Sequence, residues 1–262
     1  MSEVVALKKF LLACAAAAAF CFSTAAEAIE INNSGYIEVE HIDYPEEGES
    51  LNAARRMAEV LARRTLAEQI GDLYISSTTT VKQFRDQREL NDVVVAKVEK
   101  VLQGSQVTVT REPDGSFRAI ARLPVFGGNS LASAILPANN QVEDFPKPKF
   151  TNIESESYTG LIVDCSGQNL STAITPTIKL ADGTEIYAFK NVQRQIAVGR
   201  GLVSYSDSTD SGVQRAGNNP LVIQAQFVEG CDAVVSDEDA DKILAANQKS
   251  KFLDNCLVVF VR

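Results

Sequence analysis

Between Ser50 and Val81 the apolar periodicity of the chain switches from one kind to another, and that switch limits the fold to one that combines helices with strands. Leu51, Ala54, Ala58, Leu61, Thr65 and Leu66 recur at helical spacing, while Arg55, Arg56, Glu59, Arg63, Arg64 and Glu68 form a polar face. Glu59 and Arg63 stand four apart, the spacing of a helical ion pair. Gly71-Asp72 closes this helix. Leu73, Ile75, Ser77, Thr79 and Val81 then alternate with Tyr74, Ser76, Thr78 and Thr80, which predicts a strand through Val81.

The neighbouring segments extend the pattern. Gly35 to Tyr44 alternates as a half-exposed strand, with Ile37, Val39 and His41 on one side, and Pro45 ends it. A second helix is expected over Gln87 to Gln103, with Leu90, Val94, Val98, Val101 and Leu102 inward and Gly104 after its end. Val107 to Thr110 and Phe117 to Val125 flank Pro113-Asp114-Gly115, a turn sequence between two alternating runs. Residues 29–127 therefore read as one α+β module of order β-α-β-α-β-β.

From 128 to 157 three prolines (Pro137, Pro146, Pro148), Asn139-Asn140 and scattered charges show no period, as in a linker or a strap across the surface. Residues 158–262 read as a second, mostly-β domain with strands over Tyr158 to Asp164, Ile174 to Leu180, Glu185 to Phe189, Gly201 to Tyr205 and Leu221 to Val228. Ser236-Asp237-Glu238-Asp239 is a capping box opening one C-terminal helix, with Asp239 expected to reach back to the Ser236 amide. Cys256 to Val261 is a buried terminal strand.

The first 28 residues have the organisation of a cleavable export signal. Lys8-Lys9 precede an apolar run from Phe10 to Phe22, and Ala26-Glu27-Ala28 supplies the small-residue cleavage site, so the mature chain is expected to start at Ile29. The run is shorter than the roughly 20 residues that span a bilayer. Leu11-Leu12-Ala13-Cys14 has the order of a lipoprotein signal, but cleavage there leaves only Phe10 to Ala13 after the lysines, so no lipid anchor is expected. No transmembrane span is expected in the mature chain, and its location is expected to be the periplasm, in association with the outer membrane. The net charge of −9 is unchanged by cleavage and makes nucleic acid a poor partner.

The groups that carry chemistry are few. One histidine, His41, removes most metal sites and the usual base of a nucleophilic triad, and pairing it with Cys165 would require the two domains to meet. Of Cys165, Cys231 and Cys256, two could pair in an oxidising compartment, or all could be small buried hydrophobes. Asp232, Asp237, Glu238, Asp239 and Asp241 lack the alternating ligands and central glycine of a calcium loop, and helix capping explains them. Asp207 to Gly212 reads as a polar loop. Gly199-Arg200-Gly201 lacks the last glycine and the following helix of a dinucleotide fingerprint. Arg55-Arg56 and Arg63-Arg64, interleaved with glutamates, read as a solvated helix face. The expectation is accordingly a non-enzyme without catalytic, cofactor or metal residues.

Ala53 to Ala58, Ala62 to Gly71 and Ser76 to Val81, with Asp114 to Phe117 and Ala119 to Gly127, resemble the Lpp-twenty lipoprotein family, whose module also occurs in flagellar outer-membrane proteins of the FlgP and FlgT type. The resemblance covers about 35–127. Tyr158 to Asp164 and Asp239 to Leu244 are similar to C-terminal regions that accompany the module in exported proteins. It implies a non-enzymatic scaffold or assembly factor of the cell envelope, in some cases around the flagellar motor, that associates with itself or with an envelope protein. The alternative is a periplasmic small-ligand-binding module with its ligand near Asp164 and the loops from Asp207 to Asn219.

Overall fold

The computed structural model describes residues 29–86, 92–149 and 156–262. The leader over 1–28, the first five positions of the helix expected from Gln87, and 150–155 of the strap lie outside the described residues.

The first half opens with β1 (Tyr36–Asp43) and α1 (Leu51–Gln69). Ser50 caps α1 by accepting the Ala53 N–H at 3.2 Å. Ala54, Ala58, Ala62 and Leu66 are buried along one side of α1, four residues apart, and the alanines let the helix lie close to the sheet beneath. Leu51, expected inside, is 48% exposed.

The strand expected to run through Val81 is instead a short hairpin, β2 (Tyr74–Ser76) and β3 (Thr79–Thr80), followed at once by α2 (Val81–Asp86). A reciprocal cap stops the strand. The Gln83 side chain accepts the Thr80 N–H at 2.8 Å and Thr80 Oγ1 accepts the Gln83 N–H at 3.3 Å. The described part of the second long helix is α3 (Asp92–Gln103).

β4 (Gln106–Arg111) and β5 (Phe117–Pro124) form the hairpin expected at Pro113-Asp114-Gly115. Gly115 turns it at φ +92°, and Glu112 N–H closes onto Ser116 O at 2.9 Å. The antiparallel sheet has the order β1-β5-β4. Ile37 opposite Leu123 and Val39 opposite Ala121 face α1, whereas Glu38 and Glu40 face outward and pair with Arg122 and Arg118.

The segment expected to be a featureless linker begins with a buried helix, α4 (Leu131–Ile135), capped reciprocally by Ser130 and Ser133. Leu131, Ala132, Ala134, Ile135 and Leu136 all enter the core. Five residues are too few to show a helical period beside three prolines. The remainder is a strap tied to the second half: Glu143 N–H bonds Lys190 O at 2.8 Å, Lys149 N–H bonds the buried Asp241 carboxylate at 2.7 Å, and Phe145 stacks on Tyr187.

The second half continues with β6 (Gly160–Asp164), β7 (Ile178–Lys179), β8 (Glu185–Tyr187), α5 (Arg194–Arg200), β9 (Ser204–Ser206), α6 (Thr209–Ala216), β10 (Pro220–Gln224), β11 (Phe227–Glu229), β12 (Asp232–Val234), α7 (Asp237–Ser250) and β13 (Val258–Val261). The chain is α+β as expected, but this half holds α5 and α6 besides the one expected C-terminal helix. Four parallel strands lie in the order β10-β6-β13-β9, and a mixed sheet has the order β11-β12-β7-β8. Ile162, Val259 and Val261 pack under α6 with Ala216, while Leu161, Val163, Val258 and Phe260 on the other face join the main core. Gly160 is obligatory there, since a Cβ would stand 2.4 Å from Ala216 O.

One apolar core runs through both halves. Thr175 N–H bonds Ile75 O at 2.7 Å, Gly127 N–H bonds Val198 O at 2.7 Å, and Ile31 N–H bonds Thr172 Oγ1 at 2.8 Å. Phe126 packs closely at the junction. Its ring lies against Gly201, where φ is +76° and a Cβ would stand 2.6 Å from the ring.

Candidate functional site

The junction leaves a cleft of about 550 Å³ between the segment leading into β1 and the edge of the parallel sheet. One wall is Asn32 to Tyr36. The other is built from the end of α5, β9 and the Ser211–Arg215 stretch of α6, and Ile31, Phe126, Val203 and Val259 give it an apolar floor. The local sequence explains both walls. Asn32 Oδ1 accepts the Ser34 and Tyr36 N–H groups at 3.0 Å, an Asx turn that bends the chain into β1. Gly201 ends α5 by accepting a positive φ, so that β9 begins next to that helix end.

Among the described residues β9 pairs with β13 alone, which leaves its other edge toward the cleft. Ser206 C=O accepts the Arg262 N–H on the β13 side, so by the alternation of a parallel ladder Tyr205 directs its backbone groups outward. Ser208 caps α6 at Ser211 N–H, and the hydroxyls of Ser206, Ser208 and Ser211 bond one another.

The charge in the cleft has one sign. Among the described residues lining it there are two arginines and no carboxylate, in a chain of net charge −9. Arg215 is structural: its guanidinium donates to Cys256 O at 2.8 Å, Arg200 O at 2.7 Å and Gly201 O at 2.6 Å, and burial pulls its pKa down from the usual value. Arg200 is exposed and gives one nitrogen to Asn255 O at 3.3 Å, and its Nε and Nη2 have no hydrogen-bond partner among the described residues. At the rim, Asn33 donates to Asp207 at 3.0 Å.

The residues singled out in the sequence are dispersed. His41 lies on β1 opposite Ala119, whereas Cys165 follows β6 in the parallel sheet, so the two belong to different sheets. Burial pushes the Cys165 thiol up to about 12, which keeps it protonated and poorly nucleophilic at neutral pH. Cys165, Cys231 and Cys256 are all free and buried; no pair is bridged, and they serve as small apolar residues.

The acidic cluster divides among structural tasks. Asp237, Glu238 and Asp239 occupy the first turn of α7, capped by Ser236. Asp239 accepts the Ser236 hydroxyl at 2.7 Å, in place of the backbone bond that the sequence suggested. Asp241 holds the strap. Asp232 is buried, 3.0 Å from Lys179 Nζ, which also meets Glu229 at 2.8 Å. Among the described residues no three His, Cys, Asp or Glu side chains are grouped to hold a metal ion.

Asp207 to Gly212, read as a polar loop, leads through the cap Ser208 into the start of α6, and its Ser211 and Gly212 line the cleft. Its signal was present as Ser208 three residues before Ser211, and the short Thr209–Ala216 helix hid it. Asp164, the other position considered for a ligand, is not part of the cleft. Arg63 is not merely solvated: it donates to Ser105 O at 2.7 Å and ties α1 to the end of α3. No helix among the described residues is long and apolar enough to cross a membrane.

A search of curated proteins finds no match to this chain. Residues 160–262 match the family model described as Treponema pallidum Tp0624, second domain. The match starts at the first residue of β6 and takes in the whole of the parallel sheet, so the second half of this chain is similar to that domain.

Proposed function

We propose that this is a non-enzymatic exported protein of the cell envelope that works as a scaffold or assembly factor, associating with itself or with an envelope partner through the edges of its antiparallel sheet. The observation that carries the reading is that, among the described residues, β1 and β4 each pair on one side only, over eight and six residues. An unpaired strand edge is a template for another chain. The export signal over 1–28 and the resemblance over 35–127 support the periplasmic or outer-membrane-associated setting and the flagellar connection. A second reading, a small-ligand-binding module, is favoured by the junction cleft.

The edge reading can be tested without disturbing the sheet itself. Because Glu112 pairs with Ser116, Val109 directs its N–H away from β5, so Val109→Pro removes an outward donor and no β4–β5 bond, while trimming a partly buried side chain. Sedimentation and cross-linking in envelope fractions should show a self-associated or partnered species for the native protein and its loss in Val109→Pro, with an unchanged circular dichroism spectrum. A native protein that stays monomeric and captures no partner contradicts the reading.

A further inference from the structure

We propose that the junction cleft binds a small anionic sugar, with Arg200 meeting the negative group and Ser34, Ser204 and Gln214 meeting the hydroxyls. The inference rests on the small-ligand reading and adds the ligand's chemical class. Three observations converge on it. The cleft volume, about 550 Å³, suits a ligand of one or two sugar rings. Its floor is apolar and its walls carry hydroxyls and amides, which matches a ring with C–H faces and a hydroxyl rim. Its fixed charge is positive, against the net charge of the chain.

The hydrogen-bonding groups are also available. The Ser34, Tyr36 and Ser204 hydroxyls and the Gln214 amide make no side-chain hydrogen bond to described residues, and Asn32 keeps its Nδ2 free after spending Oδ1 on the Asx turn. By contrast, Arg215 and the Ser206, Ser208 and Ser211 hydroxyls are already satisfied within the protein and act as frame. Arg200 is thus the one cleft cation with donors to spare.

The anionic group can be a carboxylate or a phosphate, and the test separates them. The full chain is titrated by calorimetry and by amide NMR with glucuronic acid, glucose 6-phosphate and glucose. Saturable binding of either anionic sugar, with glucose at least about tenfold weaker, is expected, as for the loss of one charge-assisted hydrogen bond. Arg200→Ala should weaken the anionic sugar by a similar factor and leave the spectrum outside the cleft unchanged, since its side chain lends the fold a single 3.3 Å bond. Gln214→Ala, at an exposed position on α6, should weaken all three sugars and serves as the second variant if Arg200→Ala does not fold. Equal binding of glucose and the anionic sugars, with amide shifts in the cleft, overturns the anionic assignment and leaves the cleft as a neutral site. Absence of any shift with all three overturns both the assignment and the small-ligand reading.

Discussion

The two halves of the molecule bury their sheets differently. In the first, three antiparallel strands are covered by α1 on one face, and the other face carries Glu38, Glu40, Arg118 and Arg122 in water. In the second, four parallel strands are covered on both faces, by α6 on one and by the common core on the other. Single-sided burial writes itself into the chain as alternation; double-sided burial removes it. Edge treatment differs as well. β1 and β4 are long and contain no proline, whereas the edge strand β10 begins with Pro220.

The largest effect that sharpens this contrast is expected at the centre of the parallel sheet. Phe260→Ala in β13 removes a fully buried ring and should cost about 3–5 kcal/mol in urea denaturation. Ile120→Ala, on the central strand of the antiparallel sheet but directed to its open face, should cost no more than about 1 kcal/mol. Comparable losses at both positions would mean that the open face is covered in solution.

Next in size is the junction that makes the halves one folding unit. Gly201→Ala sets a Cβ against the Phe126 ring at a positive φ and should destabilise by about 1–3 kcal/mol. Because part of that cost is the contact itself, adding Phe126→Leu should recover some of it, and the double variant should fall short of the sum of the two single losses. Strict additivity together with two separate unfolding transitions would separate the halves.

A smaller effect belongs to the mixed sheet. Burial on its own would raise the Asp232 carboxyl, but hydrogen bonds from Ser77, Lys179 and Thr177 outweigh it and hold the group below its usual value. A folded-state value below the unfolded one gives stability that is complete above about pH 4 and is lost as the pH falls through the folded value. Asp232→Asn should therefore cost about 2 kcal/mol at pH 7, and the gap between its melting curve and that of the native protein should narrow as the pH falls below about 4. A difference that persists unchanged at low pH would assign the loss to packing.

What the sequence disclosed follows the same division. α1, β1 and the β4–β5 hairpin were legible because each shows its period over several residues, and α7 because Ser236 and three acidic residues mark its start. The misreadings were short elements. Thr80 and Gln83 form a cap that nine alternating residues concealed, α4 has five residues, and α5 and α6 lie in polar, glycine-punctuated sequence with little apolar periodicity. The cleft was only half visible: the segment from Asp207 onward was noted, but its other wall, Asn32 to Tyr36, is more than 170 residues away in the chain and is brought there by the fold. Single-residue chemistry could not announce a site whose donors are serines, amides and one arginine.

The functional contrast between the two kinds of edge is tested most directly by photocross-linking in intact envelopes. A photoreactive side chain at Thr108 on β4 is compared with one at Val222 on β10, both exposed. The expected result is a defined adduct from Thr108, to a second copy or to an envelope protein, that disappears in Val109→Pro, and none from Val222. Adducts from Val222 with none from Thr108 would contradict the assignment of the antiparallel edge as the contact surface.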